Sequence, residues 1–135
     1  MTFSVELQML TWVTLATALM WVPYILARIY TRGLMATLAN PAPSRPADPA
    51  WAQRAKAAHA NAIENLAVFA PLVLVAAAVG VSTPATVLAA QVYLVARLVH
   101  YVVYAAGIPV VRTLAFFAGI GATITLALAI LGMRA

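Results

Sequence analysis

Four long stretches of this chain are too apolar to rest in water and long enough to cross a bilayer, which leaves few folds open. They run at about residues 5–29, 57–79, 85–106 and 113–132, each near the roughly 20 residues a helix needs to span about 30 Å of hydrocarbon. In lipid every backbone N–H and C=O must be bonded inside the protein, so such stretches are helices. The expected fold is an all-α integral membrane protein, a four-transmembrane-helix bundle forming one domain over residues 1–135. Composition agrees, because 65% of the residues are hydrophobic and 8% charged, where soluble domains are roughly 45–50% apolar. Eight Lys and Arg against three acids would suit a nucleic-acid binder. Those cations are not interleaved with aromatics in a polar domain, so that class is set aside and the basic excess is read as orienting the spans. Cysteine is absent, which excludes disulfides, thiolate metal sites and a protein thiol nucleophile. Any thiol chemistry must arrive with a ligand.

No Lys or Arg precedes the first apolar run, unlike a secretory leader, so that span is expected to be retained, with Pro23 bending its last turns. Pro41, Pro43, Pro46 and Pro49 then forbid a continuous helix, and residues 30–56 read as a long, turn-rich loop. Arg28, Arg32, Arg45, Arg54 and Lys56 lie in it or at its edges. The positive-inside rule puts this loop in the cytoplasm and both termini outside. Gly80 to Pro84 is a short return, Gly107 and Pro109 end the third span, Arg112 marks a second cytoplasmic end, and Arg134 closes the fourth span outside. Gly119, Gly121 and Thr123 in that last span suit close helix packing.

The segment Tyr93 to Tyr104, YLVARLVHYVVY, carries polar chemistry into this apolar setting. Arg97, His100 and Tyr104 recur at i, i+3 and i+7, one stripe of a helix. An arginine at that depth must face a partner or a wet cavity rather than lipid tails. On the second span Asn61 and Glu64 are three apart and share a face, whereas His59 points about 160° away from Glu64. At a rise of about 1.5 Å per residue, Glu64 lies about 10 Å and Arg97 about 14 Å from the cytoplasmic side. The only charges of these two spans thus sit at similar heights. They are expected to turn into one polar, cationic pocket with Asn61, His100 and Tyr104, opening toward Arg112. Each residue alone has a plainer reading, as a register-fixing ion pair, an interhelical amide, a belt tyrosine or a topology-setting arginine. Their conjunction on two stripes is what points to a ligand. Two histidines without carboxylates at ligand spacing give no metal site.

The runs AHANAIE (Ala58 to Glu64), RLVHYVVY (Arg97 to Tyr104), GIPVVRT (Gly107 to Thr113) and ANP (Ala39 to Pro41) resemble the MAPEG superfamily, membrane-associated proteins in eicosanoid and glutathione metabolism. The likeness covers nearly the whole chain. It implies a homotrimer of four-helix subunits with glutathione bound between neighbours near the cytoplasmic side. It implies Asn61, Glu64, Arg97, His100 and Tyr104 as glutathione contacts, and Arg112 as the catalytic arginine that stabilises the thiolate, with Thr113 beside it. Arg32, with Arg28 a turn earlier, would contribute from the first span. Where prostaglandin synthase members carry two arginines this chain has Ala57 and Ala60; Arg54 and Lys56 are near enough to substitute, and His59 is a further candidate. The likeness is to small bacterial members, which implies a bacterial inner membrane. The implied activity is a glutathione transferase or peroxidase acting on apolar electrophiles or lipid hydroperoxides. Two alternatives stand beside it: a non-catalytic lipid-binding or scaffold protein of the same superfamily, and a small multidrug transporter. The latter keeps its key carboxylate within the first span, whereas Glu6 here is expected at the membrane edge.

Overall fold

The computed structural model describes residues 2–132, so Arg134 lies outside the described residues. The first apolar stretch forms two consecutive helices, α1 (Val5–Leu19) and α2 (Trp21–Arg32), which together make the first span. Ser4 starts α1 by accepting a hydrogen bond from the Leu7 N–H. The interruption at Met20 traces to Pro23, which has no N–H to offer the Leu19 carbonyl and whose ring crowds that same carbonyl. Tyr101, from a later helix, donates to the Met20 carbonyl across the break at 2.8 Å.

Gly33, at φ +84°, ends α2 in a conformation that side-chain-bearing residues avoid. A short helix α3 (Leu34–Leu38) follows with Leu34, Met35 and Leu38 exposed, and then the proline-rich connection. That connection is shorter than the expected 30–56 loop, because α4 (Ala50–Val79) begins directly after Pro49. The run AWAQRAKAAHA contains no Gly or Pro and is rich in alanine, the best helix former, so nothing delays the helix once the prolines end. Arg54 and Lys56 are therefore on a helix rather than a loop. The helix continues through Pro71.

A capping box starts α5 (Pro84–Ala106): Thr83 Oγ1 accepts from the Thr86 N–H at 3.2 Å, and Thr86 Oγ1 accepts from the Thr83 N–H at 2.8 Å. Gly107, at φ +81°, closes α5, and Pro109 opens α6 (Pro109–Ile130) in the first turn, where a missing N–H is no loss. The fourth span thus begins four residues before the expected Thr113.

These elements make an up-down bundle of four spans long and apolar enough to cross a membrane. One end holds the proline-rich connection and Gly107 (the loop end); the other holds the 80–83 return and the start of α1 (the turn end). The central element is α5, packed most closely on α6 and also against α4 and α1. Much of the buried surface is alanine, including Ala52, Ala55, Ala58 and Ala62 of α4, so backbones approach closely, as suits helices that must associate inside lipid. Larger side chains fill the turn-end half, where Phe69 and Tyr93 stack with centroids 3.7 Å apart and planes 4° from parallel. Trp12, Leu15, Leu88, Val95, Leu114 and Phe117 are exposed on the outer surface, the distribution a lipid-facing bundle requires.

Glu6 lies in the first turn of α1, at the turn end of the first span. It is 2% exposed and clasps α1 to the α4–α5 return, its carboxylate accepting from Thr86 Oγ1 at 2.5 Å and Ser82 Oγ at 2.9 Å. Three hydroxyl-bearing residues in five positions, Ser82, Thr83 and Thr86, supply the donors an apolar return would lack.

Candidate functional site

One face of α5 presents Tyr93, Arg97, His100 and Tyr104 toward α4 and α6, and the first three are buried. Arg97 Nη2 donates to Asn61 Oδ1 of α4 at 2.7 Å and lies 3.5 Å from His100 Nδ1. A guanidinium has no acceptor, so His100 Nδ1 is the unprotonated nitrogen and its hydrogen sits on Nε2. Small residues make room for this: a Cβ on Gly119 of α6 would already lie 3.6 Å from Arg97 Cδ. Toward the loop end, His100 meets Tyr104 edge to face at 5.6 Å and Phe116 at 6.4 Å. Arg112, half-buried in the first turn of α6, lays its guanidinium over the Tyr104 ring at 4.5 Å. Asn61, Arg97, His100, Tyr104 and Arg112 thus form one continuous chain of contacts along the seam of α4, α5 and α6 (the cleft), at the loop-end half of the bundle.

Asn65 belongs with them. Its Nδ2 donates to the Asn61 carbonyl at 2.8 Å and to Asn61 Oδ1 at 3.2 Å. With Oδ1 accepting from both Arg97 and Asn65, the Asn61 amide is pinned, its oxygen toward α5. The sequence signal was present, since Asn65 is one helical turn from Asn61.

The expected pairing of Glu64 with Arg97 is not formed within the protomer. Glu64 is exposed, Arg97 is 2% exposed, and the only carboxylate partner of any arginine among the described residues is Asp48. Glu64 and Asn61 lie about 60° apart around the helix. With the Asn61–Asn65 edge turned to α5, the carboxylate is carried onto the outer surface of α4. The depth estimate shifts as well, because α4 begins at Ala50 and Glu64 is about 21 Å along it.

Several other candidates lie away from the cleft. Arg28 holds Asp48 through Nη2 at 2.7 Å and Nε at 3.1 Å, and Arg32 reaches the same carboxylate at 3.5 Å while donating to the Pro46 carbonyl at 2.6 Å. Asp48, the one acid in the cation-rich connection, is thereby the organiser of that loop. The hydrogen bond from Arg28 holds its carboxyl below the ordinary value despite partial burial. Arg54 Nε donates to the Ala105 carbonyl at 3.0 Å, capping the C-terminal end of α5 at the cleft's rim. His59 faces α2, where its Nδ1 shares a 2.8 Å hydrogen bond with the Tyr24 hydroxyl. Thr113 is exposed and its hydroxyl donates back to the Pro109 carbonyl at 3.1 Å. No cluster of three metal-ligating side chains occurs among the described residues.

Four apolar helices around a buried cationic cluster define an integral membrane protein. Residues 9–132 match the model of the MAPEG family, and the chain belongs to that family. Comparisons with curated proteins and with solved structures returned no match.

Proposed function

We propose that the protein binds glutathione in this cleft and acts as a membrane-bound glutathione transferase or peroxidase on apolar electrophiles or lipid hydroperoxides. The observation that carries this reading is Arg97, a buried cation with no carboxylate partner of its own protomer among the described residues. An uncompensated charge in low dielectric is costly, and an anionic ligand at the cleft would supply the missing counter-charge. A small peptide with two carboxylates suits the donors available: the Arg97 guanidinium and the Asn61 amide, with Tyr104 and Arg112 nearer the loop end.

The exposed Glu64 supports assembly as a homotrimer. A carboxylate on the outer face of a membrane helix needs a polar partner, and a neighbouring subunit's cleft with the ligand's amino group offers one. The cation-rich connection would face the cytoplasm by the positive-inside rule, with the protein in a bacterial inner membrane and both termini outside. Water-soluble glutathione then reaches the cleft from the loop end, while apolar substrate arrives through lipid.

Glutathione supplies the nucleophilic sulfur, whose thiol is mostly protonated near neutral pH because a free thiol titrates at about 8.5. Arg112 is the group that tips this balance. Its guanidinium is held by the Tyr104 ring face, which leaves its N–H edges free to stabilise a thiolate placed beside it. The remaining residues hold the reactants in place rather than break bonds. Arg112→Ala is expected to lower the conjugation rate at least tenfold while leaving glutathione affinity within about threefold. Conjugation at the unaltered rate would remove Arg112 from the mechanism, and failure of the purified protein to bind glutathione would remove the reading itself.

A lipid-binding role without catalysis is the second reading. It is favoured by the engagement of Arg28, Arg32 and Arg54 in contacts of their own, and by an apolar groove of about 480 Å³ between α5 and α6, lined by Val95, Ala96, Val99, Leu114 and Ala118. Added glutathione should raise absorbance at roughly 240 nm if a thiolate forms. A flat response with retained lipid binding would favour the non-catalytic reading.

A further inference from the structure

Tyr104 and Arg112 stand on either side of the turn that joins α5 to α6, and burial does not hold that turn in place. Ala106, Gly107, Ile108, Pro109 and Val110 are all exposed. Backbone bonds tie its two halves together instead. The Val103 carbonyl accepts from the Ile108 N–H at 2.9 Å, the Tyr104 carbonyl from the Gly107 N–H at 3.1 Å, and the Ile108 carbonyl from the Arg112 N–H at 3.4 Å. The backbone of Arg112 thus hangs from Ile108, which hangs in turn from α5. The Ala105 carbonyl, among the last of its helix, receives nothing from the turn.

Arg54 of α4 supplies the missing donor, Nε giving its hydrogen to that carbonyl at 3.0 Å. Its guanidinium also lies across the bare face of Gly107, where a Cβ would come 3.3 Å from Cζ, 3.4 Å from Nε and 3.5 Å from Nη2. A cation there meets the negative end of the α5 dipole as well. The base of this arm is rigid: Ala52 and Ala55 of α4 are fully buried, and Tyr101 and Ala105 of α5 pack against the cluster that contains them. Among the described residues no other side chain from outside α5 and α6 hydrogen-bonds the turn. We propose that Arg54 is a positioning residue for Arg112, clamping the turn so that the Arg112 guanidinium stays over the Tyr104 ring, 4.5 Å from its centroid. The clamp stands on these contacts; its consequence for a thiolate rests on the function proposed above.

Arg54→Met keeps an unbranched stem and removes donor and charge, while Arg54→Lys restores both. A high-resolution structure of Arg54→Met should show the Arg112 guanidinium displaced from the Tyr104 ring, and an unchanged contact overturns the proposal. In glutathione conjugation the pH midpoint of kcat should rise by about half to one unit in Arg54→Met, which lowers kcat about threefold to tenfold below the midpoint, with KM for glutathione within about threefold. Arg54→Lys should return the midpoint toward that of the unaltered protein. A contact that only stabilises the fold would lower the melting temperature and leave the midpoint in place; that result, or a lysine profile matching that of methionine, overturns the proposal. Should the unaltered protein conjugate nothing, the function above falls and the structure of Arg54→Met decides the clamp by itself.

Discussion

Arg97 is a full positive charge in the core of a membrane bundle, and no carboxylate in its protomer lies within ion-pair reach among the described residues. Such a group is poorly explained by stability, and Arg97→Met makes the point measurable. The substitution loses the hydrogen bond to Asn61, about 1.5–3 kcal/mol for a charged donor. It also removes the burial of a guanidinium, whose effective penalty is several kcal/mol. Asn61 Oδ1 is not orphaned, since Asn65 still donates to it at 3.2 Å. Methionine follows the arginine stem past Gly119 and adapts to the space left at its end. The balance favours the variant by about 1–4 kcal/mol. Unfolding by SDS titration in mixed micelles reads that difference, and calorimetry on the same samples should show glutathione binding lost. A variant that unfolds more easily than the unaltered protein by about 1 kcal/mol or more would refute the reasoning and make Arg97 a structural residue.

Three further expectations follow from contacts outside the cleft. The carboxyl of Asp48 is held below its ordinary value by Arg28, so its contribution is present above the unfolded-state value near 3.8 and is lost as pH falls through the folded one. Thermal unfolding between about pH 6 and pH 3 should weaken more steeply in the unaltered protein than in Asp48→Asn, and parallel curves would count against that role. Gly107→Ala forces a side chain to φ +81° and puts its Cβ 3.3 Å from Arg54 Cζ, so it should destabilise by about 1–2 kcal/mol; a neutral result would show that the α5 cap relaxes freely. Glu6→Ala opens the turn-end clasp at a cost of about 1–3 kcal/mol, yet should leave glutathione affinity unchanged because the cleft opens at the other end. A loss of affinity there would couple the two ends.

Hydropathy and punctuation made the four helices legible, because apolar length and Pro or Gly breaks are local properties of the chain. The start of α4 was harder to read: the proline cluster drew attention past Pro49, although the alanine-rich run after it favoured helix at once. The stripe of Arg97, His100 and Tyr104 was equally legible, since a period of 3.6 places those residues together without reference to anything distant. Glu64 marks where that logic stops. Periodicity put it within about 60° of Asn61, but which edge of that arc faces inward depends on how α4 is rotated against α5, and the choice fell on Asn65. The partners of Arg28, Arg32 and Arg54 were hidden for a related reason. A carboxylate in an irregular loop and the last carbonyls of a helix 51 residues away carry no periodic signature.

The clasp at Glu6 bears on how the chain matures during synthesis. Ser82 and Thr86 follow Glu6 in the chain by 76 and 80 residues, so these two hydroxyls reach the acid only after the third span has been made. Sealing of this end therefore waits on the third span but not on α6.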